Sequence, residues 1–129
     1  MDGADLIDDG LKATMANTLD VLGWEIELAA ARSIYLDTMV GRMMTLIPDD
    51  RKAEFVEGMH TVDLLSQQLT GLSAFTRRMS GDVPDVSAYV HTALSQISLG
   101  ALADRMSVSL GGVEKGLNDG DDAGDLHLF

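Results

Sequence analysis

The sequence predicts an all-α protein, an elongated antiparallel helical hairpin that pairs into a dimeric assembly resembling a four-helix bundle. Three observations carry this expectation. Apolar residues recur at intervals of three and four along most of the chain, the spacing of one face of a helix. Ala, Leu and Met dominate and no segment alternates apolar with polar residues, so no strand is expected. Strong breakers stand at Pro48, between Ser80 and Asp85, and at Gly111-Gly112, leaving long uninterrupted runs between them.

The first run is expected to be helical over about 11–47. Leu19, Leu22, Ile26, Ala29, Ser33, Leu36, Val40, Met43 and Ile47 form a seam sustained over many turns. Gly10, Gly23 and Gly41 weaken it by roughly 1 kcal/mol each relative to Ala, and the sequence leaves open whether the helix bends or runs straight at Gly23. Pro48 ends this helix, because the residue before a proline leaves the α region. Asp49 and Asp50 follow as caps for the next helix. That helix is expected over about 50–80, with Phe55, Met59, Val62, Leu65, Leu69, Leu72, Thr76 and Met79 inward. The turn from Ser80 to Asp85 brings a third helix back antiparallel over about 85–110, with Val86, Val90, Leu94, Ile97, Leu102 and Met106 inward. Residues 1–10 are an acidic N-terminal segment. Residues 113–129, rich in Gly, Asp and Asn, are expected to be a flexible linker ending in a short peptide. A helix of about 40 residues is about 60 Å long. One such rod with two shorter mates covers its seam poorly, which is the reason to expect a homodimer.

Composition removes several function classes. The chain has 129 residues and a net charge of -12, the wrong sign for phosphate backbones or anionic lipids, so neither nucleic acid nor a membrane is an expected partner. With no cysteine there is no disulfide, zinc thiolate or cysteine nucleophile. The start, Met1-Asp2-Gly3-Ala4-Asp5, is acidic where a secretory signal would be basic, and the most apolar stretch carries Arg32, Asp37 and Arg42. A cytoplasmic location is expected. His60, His91 and His127 do not form a ligand cluster by spacing, so no metal or other cofactor is expected on this chain. Phosphate loops, His-Glu-x-x-His and Gly-x-Ser-x-Gly are absent.

The chemistry-bearing constellation is Asp63-Leu64-Leu65-Ser66-Gln67. Asp63 and Gln67 stand four apart on one helix face, in a polar stripe with His60 and Thr70. A carboxylate and an amide on a rigid rod can reach into another protein's active site. The acid pairs with a lysine, and the amide, both donor and acceptor, orients a water for in-line attack on phosphorus. By itself Asp-x-x-x-Gln is a very weak signal, and without further context the pair reads as part of a solvated face. The segment Met59-His60-Thr61-Val62-Asp63-Leu64-Leu65-Ser66-Gln67-Gln68-Leu69 resembles the catalytic helix of the CheZ chemotaxis phosphatases, which carries Asp-Leu-Thr-Gly-Gln; here Leu65-Ser66 replaces Thr-Gly. The C-terminus, Asp121-Asp122-Ala123-Gly124-Asp125-Leu126-His127-Leu128-Phe129, resembles that family's acidic-apolar terminal peptide, which captures the response regulator CheY.

The resemblance implies a phosphatase acting on the aspartyl phosphate of a CheY-type response regulator. By it, Gln67 positions the attacking water and Asp63 bridges to the regulator's active-site lysine. Asp125, Leu126, Leu128 and Phe129 tether the regulator, and magnesium belongs to the regulator. Two other readings stay open at the level of sequence. One is a non-catalytic dimeric adaptor that binds a regulator or kinase through its tail or polar stripe; separately, the tail's Leu126, Leu128 and Phe129 read equally as a C-terminus folding back on its own bundle. The other is a degenerate histidine phosphotransfer bundle using His60. Phosphotransfer domains follow their histidine with Lys-Gly at the third and fourth positions, where this chain has Asp63-Leu64.

Overall fold

The computed structural model describes residues 10–112. The acidic segment before Gly10 and the whole C-terminal peptide, with Asp125, Leu126, Leu128 and Phe129, lie outside the described residues. Element order is β1 (Lys12–Thr14), α1 (Met15–Arg42), α2 (Lys52–Asp82), β2 (Ser87–Tyr89), α3 (His91–Leu94) and α4 (Gly100–Ser109), with single 3-10 turns at Met44–Leu46 and Asp49–Arg51 between α1 and α2. The protein is mostly helical, and α1 and α2 pack as a hairpin. The described residues divide into two compact units: Gly23–Thr76 holds the greater part of both long helices, and the other unit joins residues 10–22 to residues 77–112.

Thr14 starts α1 by accepting the backbone N–H of Asn17 on its Oγ1 at 3.0 Å, an N-cap bond to the third residue of the helix. The helix then runs without interruption through Gly23. It stops at Arg42, five residues short of the expected end, in a 3-10 turn that leads to Pro48. No aspartate side chain caps the entry to the second helix. The Pro48 carbonyl accepts the Arg51 N–H at 2.9 Å, and Lys52 Nζ lies 3.3 Å from Asp49 Oδ1 at the surface.

The third helix expected over 85–110 is not a single helix. Ser87–Tyr89 is extended and pairs antiparallel with Lys12–Thr14, opposing Lys12 to Tyr89, Ala13 to Ala88 and Thr14 to Ser87. Val86 and Tyr89, within five residues after Pro84, favour extended backbone, and the chain entering α1 supplies the second strand. Main-chain bonds from Met15 to the Val86 carbonyl and from Val90 to the Leu11 carbonyl, both 2.8 Å, close the ladder at each end. The absence of strands expected from the sequence is corrected by this pair. A single turn of helix, α3, and a short connection follow before α4 begins at Gly100.

The inward positions of this segment are mostly as the sequence predicts. Ala13, Val21, Val90, Met106 and Leu110 form the buried core of the terminal unit, with Leu11, Leu94, Ile97 and Leu102 packed against it. Val86 is exposed, because it lies in the strand approach and not on a helix face. In the same unit Arg77 Nε lies 3.9 Å from Asp20 Oδ1, and Lys12 Nζ stands 5.5 Å over the Tyr89 ring.

Gly111-Gly112 ends α4 as the sequence predicts, and the geometry explains why glycine is needed. Gly111 has φ +101°, its N–H bonds the Val108 carbonyl at 3.0 Å, and the Gly112 N–H bonds the Ser107 carbonyl at 2.7 Å. This is a Schellman termination. Gly111→Ala is therefore expected to cost about 1 kcal/mol through the left-handed backbone, measured as a lower urea midpoint with an unchanged m-value.

Candidate functional site

The central unit is organised by small residues. Ser73 is 3% exposed, and its Oγ donates to the Gly23 carbonyl across the hairpin at 2.8 Å. This bond sets the antiparallel register. One heptad further along each helix, Ser66 of α2 and Ala30 of α1 are both buried. The buried hydroxyls cost little because each has a carbonyl acceptor: Ser66 Oγ donates to the Asp63 carbonyl at 2.8 Å and Thr76 Oγ1 to the Leu72 carbonyl at 2.7 Å. Glycine, alanine and serine let the two backbones approach, and Phe55, Met59, Val62 and Leu69 occupy the other half-buried seam positions.

This register corrects the expected seam. Leu65 and Leu72 are not inward; they are 45% and 53% exposed, and the adjacent Ser66 and Ser73 take the buried column instead. On α1 the buried positions are Val21, Gly23 and Ala30, while Leu22, Leu36 and Met43 are exposed. The repeat of Ser66, Ser73 and Ser80 at seven-residue spacing is the sequence signal for this column. Reading only apolar residues passes over it.

With Ser66 turned into the hairpin, Asp63 and Gln67 fall on an exposed face of α2. They are together: Gln67 Nε2 donates to Asp63 Oδ2 at 3.0 Å. That bond uses one of the amide's two N–H donors and leaves the amide oxygen as an acceptor. His60 and Thr70 are exposed on the same stretch of helix, and Thr70 Oγ1 turns back to the Ser66 carbonyl at 2.8 Å. Ser66 thus supports the pair from behind in two ways: its hydroxyl holds the Asp63 carbonyl and its own carbonyl holds Thr70. The arrangement presents one carboxylate and one amide from a helix fixed against its neighbour, with no chain of this protein over them among the described contacts.

Among the described residues no group of three or more His, Asp or Glu side chains is placed to hold a metal ion. No helix among them is long and apolar enough to cross a membrane.

Set against known proteins, the chain matches no curated protein and no solved structure. Residues 12–129 match the family described as a domain of unknown function (DUF8776), and the chain belongs to that family.

Proposed function

We propose that this member of the DUF8776 family is a CheZ-like phosphatase that speeds hydrolysis of the aspartyl phosphate on a CheY-type response regulator. The observation that carries the reading is the Gln67–Asp63 pair, 3.0 Å apart and exposed on a helix braced from behind by Ser66 and Ser73. In this reading the carboxylate of Asp63 meets the regulator's active-site lysine. The amide of Gln67 orients a water in line with the phosphorus. The water oxygen bonds to phosphorus, the phosphorus–oxygen bond to the aspartyl side chain breaks, and the aspartate leaves as a carboxylate with inorganic phosphate released. Such loose phosphoryl transfer needs positioning more than covalent help from the protein, so two polar side chains suffice. Magnesium stays with the regulator. Asp125, Leu126, Leu128 and Phe129 act as the tether, raising the local regulator concentration to roughly millimolar. The protein works in the cytoplasm as a homodimer.

The test is decay of a phosphorylated single-domain response regulator from the same organism, with magnesium, with and without this protein. Faster decay supports the phosphatase. Unchanged decay despite tail-dependent binding overturns it in favour of the non-catalytic adaptor. That second reading is favoured by one observation, the large number of exposed apolar side chains on α1 and α2.

A further inference from the structure

The apolar stripe of each long helix is wider than the hairpin can bury. Residues one place before the buried column, Leu36 and Met43 on the α1 side and Leu65 and Leu72 on α2, repeat every seven residues and remain exposed. In an antiparallel pair these two rows lie on the same flank of the hairpin. Met39 and Phe75 widen that flank outward. The six side chains are between 41% and 64% exposed, which amounts to roughly 600 Å² of exposed apolar surface spread along the flank, comparable in area to the largest patches a monomer usually carries. Two such faces together bury roughly 1,200 Å², the threshold of a stable interface. The opposite flank mixes apolar and polar side chains, Trp24 and Ile34 with Glu27, Asp63 and Thr70.

A second feature opens on the same flank. The α2 row continues backward from Leu72 and Leu65 to Gly58 and Arg51, and these last two line a cavity of about 460 Å³ whose walls include Val40, Phe55 and Met59. It is an open groove at the surface, with Pro48, Arg51, Glu54 and Gly58 exposed along it. Asp37 also lines it, and its Oδ1 is shut off from solvent with no hydrogen-bond partner in the single chain. A buried acceptor without a donor is costly, so an occupant that brings both apolar side chains and a donor fits the site. The row Leu36, Met43, Arg51, Gly58, Leu65 and Leu72 contains no acid, although the chain carries a net charge of -12. Asp37 and Glu54 stand at the cavity beside Arg51, but the row itself has no acid, which lowers the repulsion a second copy of this acidic chain meets along it.

We infer that this flank is the surface through which two copies of the chain pair, side chains of each entering the cavity of the other, with the Asp63–Gln67 pair left outward on the opposite flank of both. The inference rests on the homodimer part of the reading above and is independent of the phosphatase part. Sedimentation equilibrium of the full chain tests it. The wild type is expected at twice 13.8 kDa at micromolar concentration. Leu65→Glu/Leu72→Glu is expected to be monomeric with its helical circular dichroism retained, since both positions are exposed in the single chain. The milder Leu72→Gln weakens pairing at least tenfold and covers the case in which the double variant does not fold. Ile34→Glu, on the other flank, leaves the dimer intact. A monomeric wild type overturns both the pairing and its surface. A dimer that survives Leu65→Glu/Leu72→Glu, or one that Ile34→Glu dissociates, overturns the surface alone.

Discussion

Gln67→Ala is expected to slow the protein-dependent loss of the regulator's aspartyl phosphate by about a hundredfold or more, the usual cost of misplacing a group that positions the reacting water. Binding of the regulator should persist, because the tether does not involve Gln67. The side chain is exposed and, among the described residues, bonds Asp63 alone, so the melting temperature should barely change. Asp63→Asn makes the complementary case. It preserves shape and can still accept from Gln67 Nε2, but it removes the charge offered to the regulator's lysine. Regulator affinity should fall at least tenfold, in line with the loss of a charged hydrogen bond of about 1.5–3 kcal/mol. Decay kinetics over a range of regulator concentrations separate the two effects. Equal rates for wild type and Gln67→Ala would remove the pair from the chemistry.

The second large effect concerns the support behind that pair. Ser73→Leu forces four carbons into a column where the hydroxyl now reaches the Gly23 carbonyl at 2.8 Å. Overpacking of this kind costs about 1–3 kcal/mol, to which the lost hydrogen bond adds about 1 kcal/mol. Ala74→Leu adds the same volume one residue away at an exposed position and should stay within about 0.5 kcal/mol of wild type. Urea denaturation of the two variants reads the difference. If Ser73→Leu were as stable as Ala74→Leu, the small-residue column would not set the hairpin register. Because Ser66 lies one heptad away on the same column, Ser73→Leu should also reduce phosphatase activity without touching Asp63 or Gln67.

The long helices and their breaks were legible because each depends on short-range chemistry. A three-four period, a proline at 48 and a glycine pair at 111 act through backbone geometry and nearest turns. The strand at Ser87–Tyr89 was not legible in the same way. Three residues are too few to show alternation, and their extended form is completed by Lys12–Thr14, more than seventy positions earlier in the chain. Local reading placed Val86 and Val90 on one helix, where only Val90 proves buried. For the candidate site, four-residue spacing was enough to set Asp63 and Gln67 side by side. It could not show that the serine between them faces inward and holds their helix from behind.

By itself the sequence determined that the chain is mostly helical, that two long amphipathic helices flank Pro48, and that an acid and an amide share one turn of the second. Tertiary structure alone decided which column of each stripe is buried. Periodicity fixes the width and pitch of an apolar stripe, but burial is not directional, so it does not fix the line along which two stripes meet. That line was drawn by sterics: Gly23, Ala30, Ser66 and Ser73 allow the closest approach, and their hydroxyls find carbonyl acceptors there. The larger Leu36, Leu65 and Leu72 are left on the flank.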